Sequence, residues 1–99
     1  MPSKKISLNK ALQDGKFNEF LLKNFTVDKD TGYVKGSGLY YRIQVEISWL
    51  GKKTTINLHR LVFFLTYGRW PKKGYEIDHT DGNPLNNRPD NLQELTKED

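Results

Sequence analysis

The sequence predicts an α+β fold, in which a small antiparallel sheet with a packed helix is followed by a turn-rich polar segment. Residues 39–50 alternate apolar and polar side chains, which is the period of a strand with one buried face. A glycine-containing turn and a second β-branched run at residues 54–58 follow, and this order predicts a hairpin. Residues 58–68 then carry apolar positions at helical spacing and end on glycine, the residue that most often terminates a helix.

The N-terminal part, residues 1–32, is expected to contain helix and turns. We expect either two short helical pieces or one helix over residues 17–23 preceded by a loose turn, because Asp-Gly-Lys at 14–16 interrupts the apolar spacing. The run Asp-Lys-Asp-Thr-Gly at 28–32 predicts a turn.

The central part, residues 33–74, is expected to hold the hairpin and the helix. The apolar side chains that alternate along the first strand are Tyr41, Ile43, Val45 and Ile47. The chain is expected to turn at residues 50–53. The helix is expected to pack through Leu61, Val62, Phe64 and Leu65. The last part, residues 75–99, is polar and has only short apolar anchors.

Length and composition limit the class of protein. Ninety-nine residues predict one small domain. The absence of cysteine excludes a disulfide framework and cysteine-based zinc sites. No apolar run approaches the roughly 20 residues of a membrane span, and the N-terminus lacks the apolar stretch of a signal peptide. We therefore expect a cytoplasmic protein without a membrane partner.

Charge is distributed unevenly along the chain. Residues 1–75 carry 14 Lys or Arg against 5 Asp or Glu, whereas residues 76–99 carry 2 against 7. A basic body next to an acidic segment indicates a polyanionic partner and a separate acidic site. The simpler interpretation, that the lysines only solvate a small domain, stays open at this point.

The dipeptide Asp78-His79 is the first candidate for chemistry. Ile77 can anchor a short strand, so that the two polar side chains project at its end on opposite faces. A carboxylate is a hard oxygen ligand suited to Mg²⁺, and a neutral imidazole is a suitable general base near pH 7. Hydrolysis of a phosphodiester needs both functions. An isolated Asp-His pair is more often an ordinary surface pair.

The polar loop after this dipeptide strengthens the prediction. A tight turn at 80–84 precedes Asn86-Asn87-Arg88-Pro89-Asp90-Asn91. Asparagine side chains can hydrogen-bond loop backbone and hold an irregular loop in one shape, and Arg88 could bind a phosphate through two donors. An Asn-rich surface loop without function is the alternative.

Several short motifs in a fixed order resemble those of the HNH endonucleases carried by bacteriophages and by some mobile introns. They are HRLV at 59–62, GRWP at 68–71, IDHTDGN at 77–83, NNRPDNL at 86–92 and LT at 95–96. The resemblance covers roughly residues 33–99. It implies a ββα-metal fold, a divalent cofactor (Mg²⁺ or Mn²⁺) and hydrolysis of DNA, as in homing-type enzymes.

The resemblance also implies roles for individual residues. Asp78 resembles the first metal ligand, and His79 resembles the general base that activates water. Asn91 matches the central asparagine, which braces the loop and orients the histidine through backbone contacts, and Asn87 matches a second loop-stabilising asparagine. Arg60 falls beside the family's DNA-binding surface, while the role of His59 stays undecided. The remaining candidates for DNA contact are Arg88, Arg42, Lys52 and Lys53.

One position of the family pattern has no counterpart. The second metal ligand of the family lies on a helix about nine residues after the loop asparagine, which from Asn91 is just beyond Asp99. Residues 92–95 should form the second strand of the hairpin, and residues 96–99 have the form that opens a helix. We therefore expect a truncated chain that lacks most of the final helix. Its activity would be weak, with at best Glu98 or Asp99 as a substitute ligand.

Two other functions stay open. A DNA-binding module without catalysis would use the basic hairpin and the same cations. An RNA-binding or protein-interaction domain would use exposed aromatic side chains, although in a domain this small most aromatic residues must be core.

Overall fold

The computed structural model describes residues 4–5 and 15–96, and within them it has two helices and eight short strands. The helices are α1 (Gly15–Asn24) and α2 (Leu58–Tyr67). The strands are β1 (Lys4–Lys5), β2 (Phe25–Val27), β3 (Val34–Gly36), β4 (Leu39–Tyr40), β5 (Gln44–Trp49), β6 (Lys52–Asn57), β7 (Tyr75–His79) and β8 (Leu92–Thr96). Helices packed on small, mainly antiparallel sheets confirm the α+β class.

The central hairpin is formed by β5 and β6, which pair in antiparallel register from Trp49 opposite Lys52 to Gln44 opposite Asn57. The sheet order is β1-β6-β5-β4, with β1 parallel to β6. The hairpin is confirmed, but the predicted four-residue turn is wrong. Leu50 and Gly51 alone make the turn, both at positive φ (51° and 73°), a geometry that suits the twist of a two-residue hairpin. Lys52 is therefore already a strand residue.

The predicted continuous strand over residues 39–50 is interrupted. The Tyr41 N–H donates to the carbonyl of Gln44 at 2.7 Å, and the Leu58 N–H donates to the carbonyl of Ile43 at 2.9 Å. These bonds form a bend between β4 and β5, so the alternation stops there. Tyr41 and Ile43 are exposed, whereas Val45 and Ile47 are fully buried.

Helix α1 packs on the sheet through Phe17 and Leu21. It is two residues longer at its start and one residue longer at its end than the helix expected over 17–23. The predicted earlier helical piece lies outside the described residues. Strand β2, which follows α1 directly and pairs with β3, was not predicted. The main core contains Phe17, Leu21, Phe25, Val45, Ile47, Ile56, Leu61 and Phe64.

Helix α2 is confirmed and ends where expected. Gly68 adopts the left-handed conformation (φ 72°), and its N–H donates to the Phe64 carbonyl at 2.7 Å. The buried face differs from the prediction, since Phe63 is buried and Leu65 is only partly buried. The reason is that α2 contacts two clusters. Its other face packs through Val62 and Phe63 against β7 and β8.

Strands β7 and β8 form the second hairpin, with His79 opposite Leu92. Ile77 and Leu92 are buried against α2, which fixes the hairpin on the helix. The twelve residues between the strands form the polar loop, which ends in a short 3₁₀ turn, Pro89–Asn91. The predicted second strand is confirmed and extends to Thr96. Neither helix that the structure describes is long and apolar enough to cross a membrane.

Candidate active site

His79 lies at the end of β7, where the strand meets the polar loop. Along this strand Ile77 is buried, Asp78 is exposed and His79 is half-buried. Alternation along a strand places neighbouring side chains on opposite faces, as predicted for Asp78 and His79. The imidazole therefore turns toward the protein and the carboxylate toward solvent.

The ring of His79 is held by Asn87. The imidazole Nε2 lies 2.8 Å from the amide Oδ1 of Asn87, whose side chain is buried. An amide oxygen only accepts hydrogen bonds, so in the neutral imidazole this contact favours the tautomer with its proton on Nε2. This leaves Nδ1 with a free lone pair. The contact thus sets the tautomer that a general base requires.

Asn91 braces the loop around the histidine. Its buried Nδ2 donates to Asp81 Oδ1 at 3.0 Å and to the carbonyl of Asn86 at 2.9 Å. Its carbonyl accepts from the N–H of Thr80 at 2.7 Å. Asn91 therefore fixes the two residues that follow His79. Its own side chain bonds to the loop, and Asn87 is the asparagine that bonds to the ring.

Asp81 is the centre of this loop network and was not singled out from the sequence. Its carboxylate accepts from the side chain of Asn86, from the N–H of Asn83 and from Asn91. These bonds, with the Asn86 side chain contributing most, lower the pKa of Asp81 to about 2. The carboxylate is therefore ionised at neutral pH and acts as an acceptor that closes the loop. The Asp-Gly-Asn turn was the available signal.

His59, whose role was undecided, lies against the site. Its ring centroid is 5.0 Å from that of His79, with the planes tilted by 58°. Burial, together with the charges of His79 and Arg60, lowers the pKa of His59 to about 4. His59 is therefore neutral at pH 7 and packs as an uncharged ring beside the candidate base.

Arg60 follows His59 at the start of α2. Both residues line a polar cleft of about 240 Å³ together with Glu76 and Tyr75 on β7. A guanidinium in this position can bind a phosphate next to His59. The helix thus brings a cation to a cleft that it shares with β7, the strand that ends at His79.

Asp78 is the one predicted metal ligand that the structure describes. Across the hairpin, Gln93 Nε2 donates to its Oδ2 at 3.3 Å. Within residues 4–5 and 15–96 there is no group of three or more His, Cys, Asp or Glu side chains that could hold a metal ion. Mg²⁺ commonly binds through one or two carboxylates and keeps several waters. The exposed carboxylate of Asp78 could therefore bind such an ion, but only weakly. Glu98 and Asp99 lie outside the described residues.

Comparison with known proteins bears on these residues. Residues 57–99 match the family model described as HNH endonuclease. This segment of the chain is therefore similar to the HNH endonuclease family. No curated protein and no solved structure matches the chain. The HNH segment, defined here as residues 57–99, contains α2 and the β7–β8 hairpin, and with them every residue of the site described above. Residues 1–56 lie outside the match.

The predicted DNA-binding residues fall into two groups relative to the HNH site. Arg88 is adjacent in the chain to Asn87 and forms an exposed ion pair with Asp90 at 3.6 Å. Arg42 lines a second cleft that reaches Asn87. Lys52 and Lys53 lie at the opposite end of β6 from the helix start, roughly 15 Å away along the strand. The structure brings the arginines to the site but not these two lysines, of which Lys53 pairs with Glu46 at 3.7 Å.

Proposed function

We propose that this protein is an HNH-type, metal-dependent DNA endonuclease in which His79 is the general base and Asp78 is a metal ligand. The observation that carries the proposal is the 2.8 Å contact between His79 and Asn87 inside a segment similar to the HNH endonuclease family. A histidine held in one tautomer by a buried acceptor is positioned to take a proton from water. The similarity of residues 57–99 to the HNH endonuclease family supports nuclease-type function.

The reaction that fits this site is hydrolysis of a phosphodiester. His79 Nδ1 removes a proton from a water molecule, whose oxygen attacks phosphorus as the bond to the leaving oxygen breaks. Arg60 binds a non-bridging phosphate oxygen and orients the group beside His79. When bound at Asp78, Mg²⁺ or Mn²⁺ supplies positive charge that stabilises the leaving oxygen. His59 contributes an uncharged ring that limits the movement of the base.

DNA is the proposed substrate because the cations outnumber the acidic residues strongly over residues 1–75. Arg42 and Arg88 would bind phosphates near the cut, and Lys52 and Lys53 would bind phosphates further along the duplex. We infer action in the cytoplasm of a bacterial or phage-infected cell, in line with the bacteriophage and homing-type enzymes that the motifs resemble.

A plasmid-nicking assay tests the proposal. Supercoiled DNA is incubated with the chain in Mg²⁺, in Mn²⁺ and in EDTA, and the relaxed and linear forms are quantified. We expect cleavage with either metal and none in EDTA. Because one carboxylate holds these ions weakly, the rate should still rise with metal in the millimolar range. Equal cleavage in EDTA, or none with either metal, would contradict the proposal.

A DNA-binding module without catalysis is the second candidate. It is favoured by a specific observation, which is that Asp78 belongs to no group of three or more His, Cys, Asp or Glu side chains among the described residues. Such a module would retain the cations and the braced loop. DNA binding that is unaffected by metal, combined with no cleavage in Mg²⁺ or Mn²⁺, would support this alternative.

A further inference from the structure

A second cleft opens beside the HNH site, and apart from Arg42 and Asn87 the residues that line it have no role in the proposed reaction. Its volume is about 330 Å³, and it reaches Asn87, the residue that bonds to His79. The residues that matter for its chemistry are Tyr33, Tyr40, Arg42, Leu58 and Leu85. A ligand bound in this cleft would therefore contact Asn87, which in turn contacts the candidate general base His79.

The lining of this cleft has the chemistry of a nucleotide site. Tyr33 and Tyr40 are 73% and 42% exposed, so their rings are available to a ligand. Leu85 adds an exposed apolar surface, and none of the described residues that line the cleft is acidic. Arg42 has no carboxylate within ion-pair distance in the described part of the chain. Aromatic faces beside a free guanidinium suit a base and its phosphate.

The walls of the cleft are fixed to the catalytic loop. Gly32 is buried at φ 77°, and a Cβ at this position would clash with the carbonyl carbon of Asn87. The turn before Tyr33 is closed by the Gly32 N–H, which donates to the Asp28 carbonyl at 2.6 Å. On the opposite wall, the Tyr40 hydroxyl donates to the Gly36 carbonyl at 2.9 Å. The backbone that carries Tyr33 is therefore packed on the loop that holds His79, and the ring of Tyr40 is tied to the opposite wall.

We propose that this cleft binds an unpaired nucleobase of the DNA strand, next to the phosphodiester that is cut, by stacking on Tyr33 while Arg42 binds the adjoining phosphate. A base inside a duplex has both faces covered by its neighbours, so a tyrosine ring in a concave site can reach only a base that has left the stack. The inference rests on the proposed DNA substrate and deepens it, since it predicts preference for a mismatched, bulged or single-stranded nucleotide.

The test measures binding of two DNA probes in EDTA, where cleavage is absent. One probe is a fluorescent duplex with a single bulged adenine, and the other is the same duplex with an abasic bulge. We expect the chain to bind the adenine probe about tenfold more tightly, the size of one base stacked on an aromatic ring. Tyr33→Ala should bind both probes equally. Tyr67→Ala, which removes another exposed tyrosine at the far end of α2, should behave as the unchanged chain.

The outcomes separate the two proposals. Equal binding of both probes by the unchanged chain, or an undiminished preference in Tyr33→Ala, would overturn the base site. Binding of neither probe would overturn it as well. The metal-dependent nicking assay is run on the same preparation. Cleavage without a preference for the adenine probe would reject only the proposed base site. A preference for the adenine probe without cleavage would reject only the proposed nuclease activity.

Discussion

At the scale of single residues, the site depends on which nitrogen of His79 carries a proton. Sequence alone places an Asp-His pair before an Asn-rich loop, and both side chains lie where the strand alternation predicts. The sequence does not tell which asparagine bonds to the ring, because the partner is eight residues away and depends on how the loop folds back. In the structure Asn87 bonds to His79, while Asn91 holds the backbone beside it.

The role of Asn87 can be tested by Asn87→Ala. Without the amide oxygen, the Nε2 proton loses its acceptor and the ring is free to rotate or change tautomer. We expect the maximal nicking rate to fall about 10- to 100-fold, as is typical when the partner of a functional histidine is removed. DNA affinity should be nearly unchanged. Asn83→Ala, which alters the same loop without touching His79, is the control, and an equal loss in both variants would contradict this role.

The lowered pKa values of His59 and Asp81 predict a stepwise loss of stability in acid. His59 has a pKa of about 4 in the folded protein, below its ordinary value of 6.5. As the pH falls, the imidazole is therefore protonated in the unfolded chain before it is protonated in the folded one. Stability should therefore be full above about pH 6.5 and decline toward pH 4, by roughly 2 kcal/mol. The carboxylate of Asp81, with a pKa of about 2, contributes stability above about pH 4 that is lost as the pH falls through 2.

Urea unfolding at a series of pH values measures this dependence. His59→Asn should remove the decline of the unfolding free energy between pH 6.5 and 4. The decline between pH 4 and 2, which is due to Asp81, should remain. If the variant and the unchanged chain lost stability in parallel over the upper range, His59 would not be the group responsible.

At the scale of elements, the site is assembled from three pieces that meet. Helix α2 supplies His59 and Arg60, the β7–β8 hairpin supplies Asp78 and His79, and the turn before β3 packs on the loop at Asn87. Period and turn residues were sufficient to predict α2 and the β5–β6 hairpin, whereas the β7–β8 hairpin was predicted from the family resemblance. They could not predict the bend at residues 41–43, because Tyr41 and Ile43 continue the apolar alternation and only backbone bonds to other segments break it.

The packing of the turn on the catalytic loop can be tested by Gly32→Ala. The left-handed backbone costs any residue with a Cβ about 1–2 kcal/mol, and here the added Cβ also meets backbone atoms of Asn87 and Arg88. We expect a larger loss of unfolding free energy than this cost alone, together with slower nicking. Gly51→Ala has a similar φ of 73° but open space around it, so it should show only the conformational cost and normal nicking. Equal losses in the two variants would contradict the proposed contact.

At the scale of the whole molecule, charge and fold divide the chain in the same way. The segment that is mainly acidic, residues 76–99, carries the β7–β8 hairpin and the polar loop, and most of the basic residues precede it in the chain. The sequence predicted this division and the α+β class. It could not predict that Lys52 and Lys53 lie far from His79, while Arg42 lies close to it, since those positions depend on the length of β6 and on the bend before β5.

Binding of DNA should depend steeply on salt. If Arg42, Arg60, Arg88, Lys52 and Lys53 all contact phosphates, log affinity against log salt should have a slope of about −4, or a loss of about 10²-fold between 50 and 200 mM. Fluorescence anisotropy with a labelled duplex measures it. Lys52→Ala should make the slope shallower by about one without changing the maximal nicking rate. A slope near zero would exclude a surface that follows phosphates.

The most direct test of the central claim compares cleavage and binding by His79→Ala with those of the unchanged chain, using one DNA substrate in Mn²⁺ for nicking and in EDTA for affinity. Removing the base should abolish metal-dependent nicking while the dissociation constant stays within about twofold, because the imidazole acts on water and the arginines bind the phosphates. Nicking by His79→Ala at the rate of the unchanged chain would contradict the assignment of His79 as the general base.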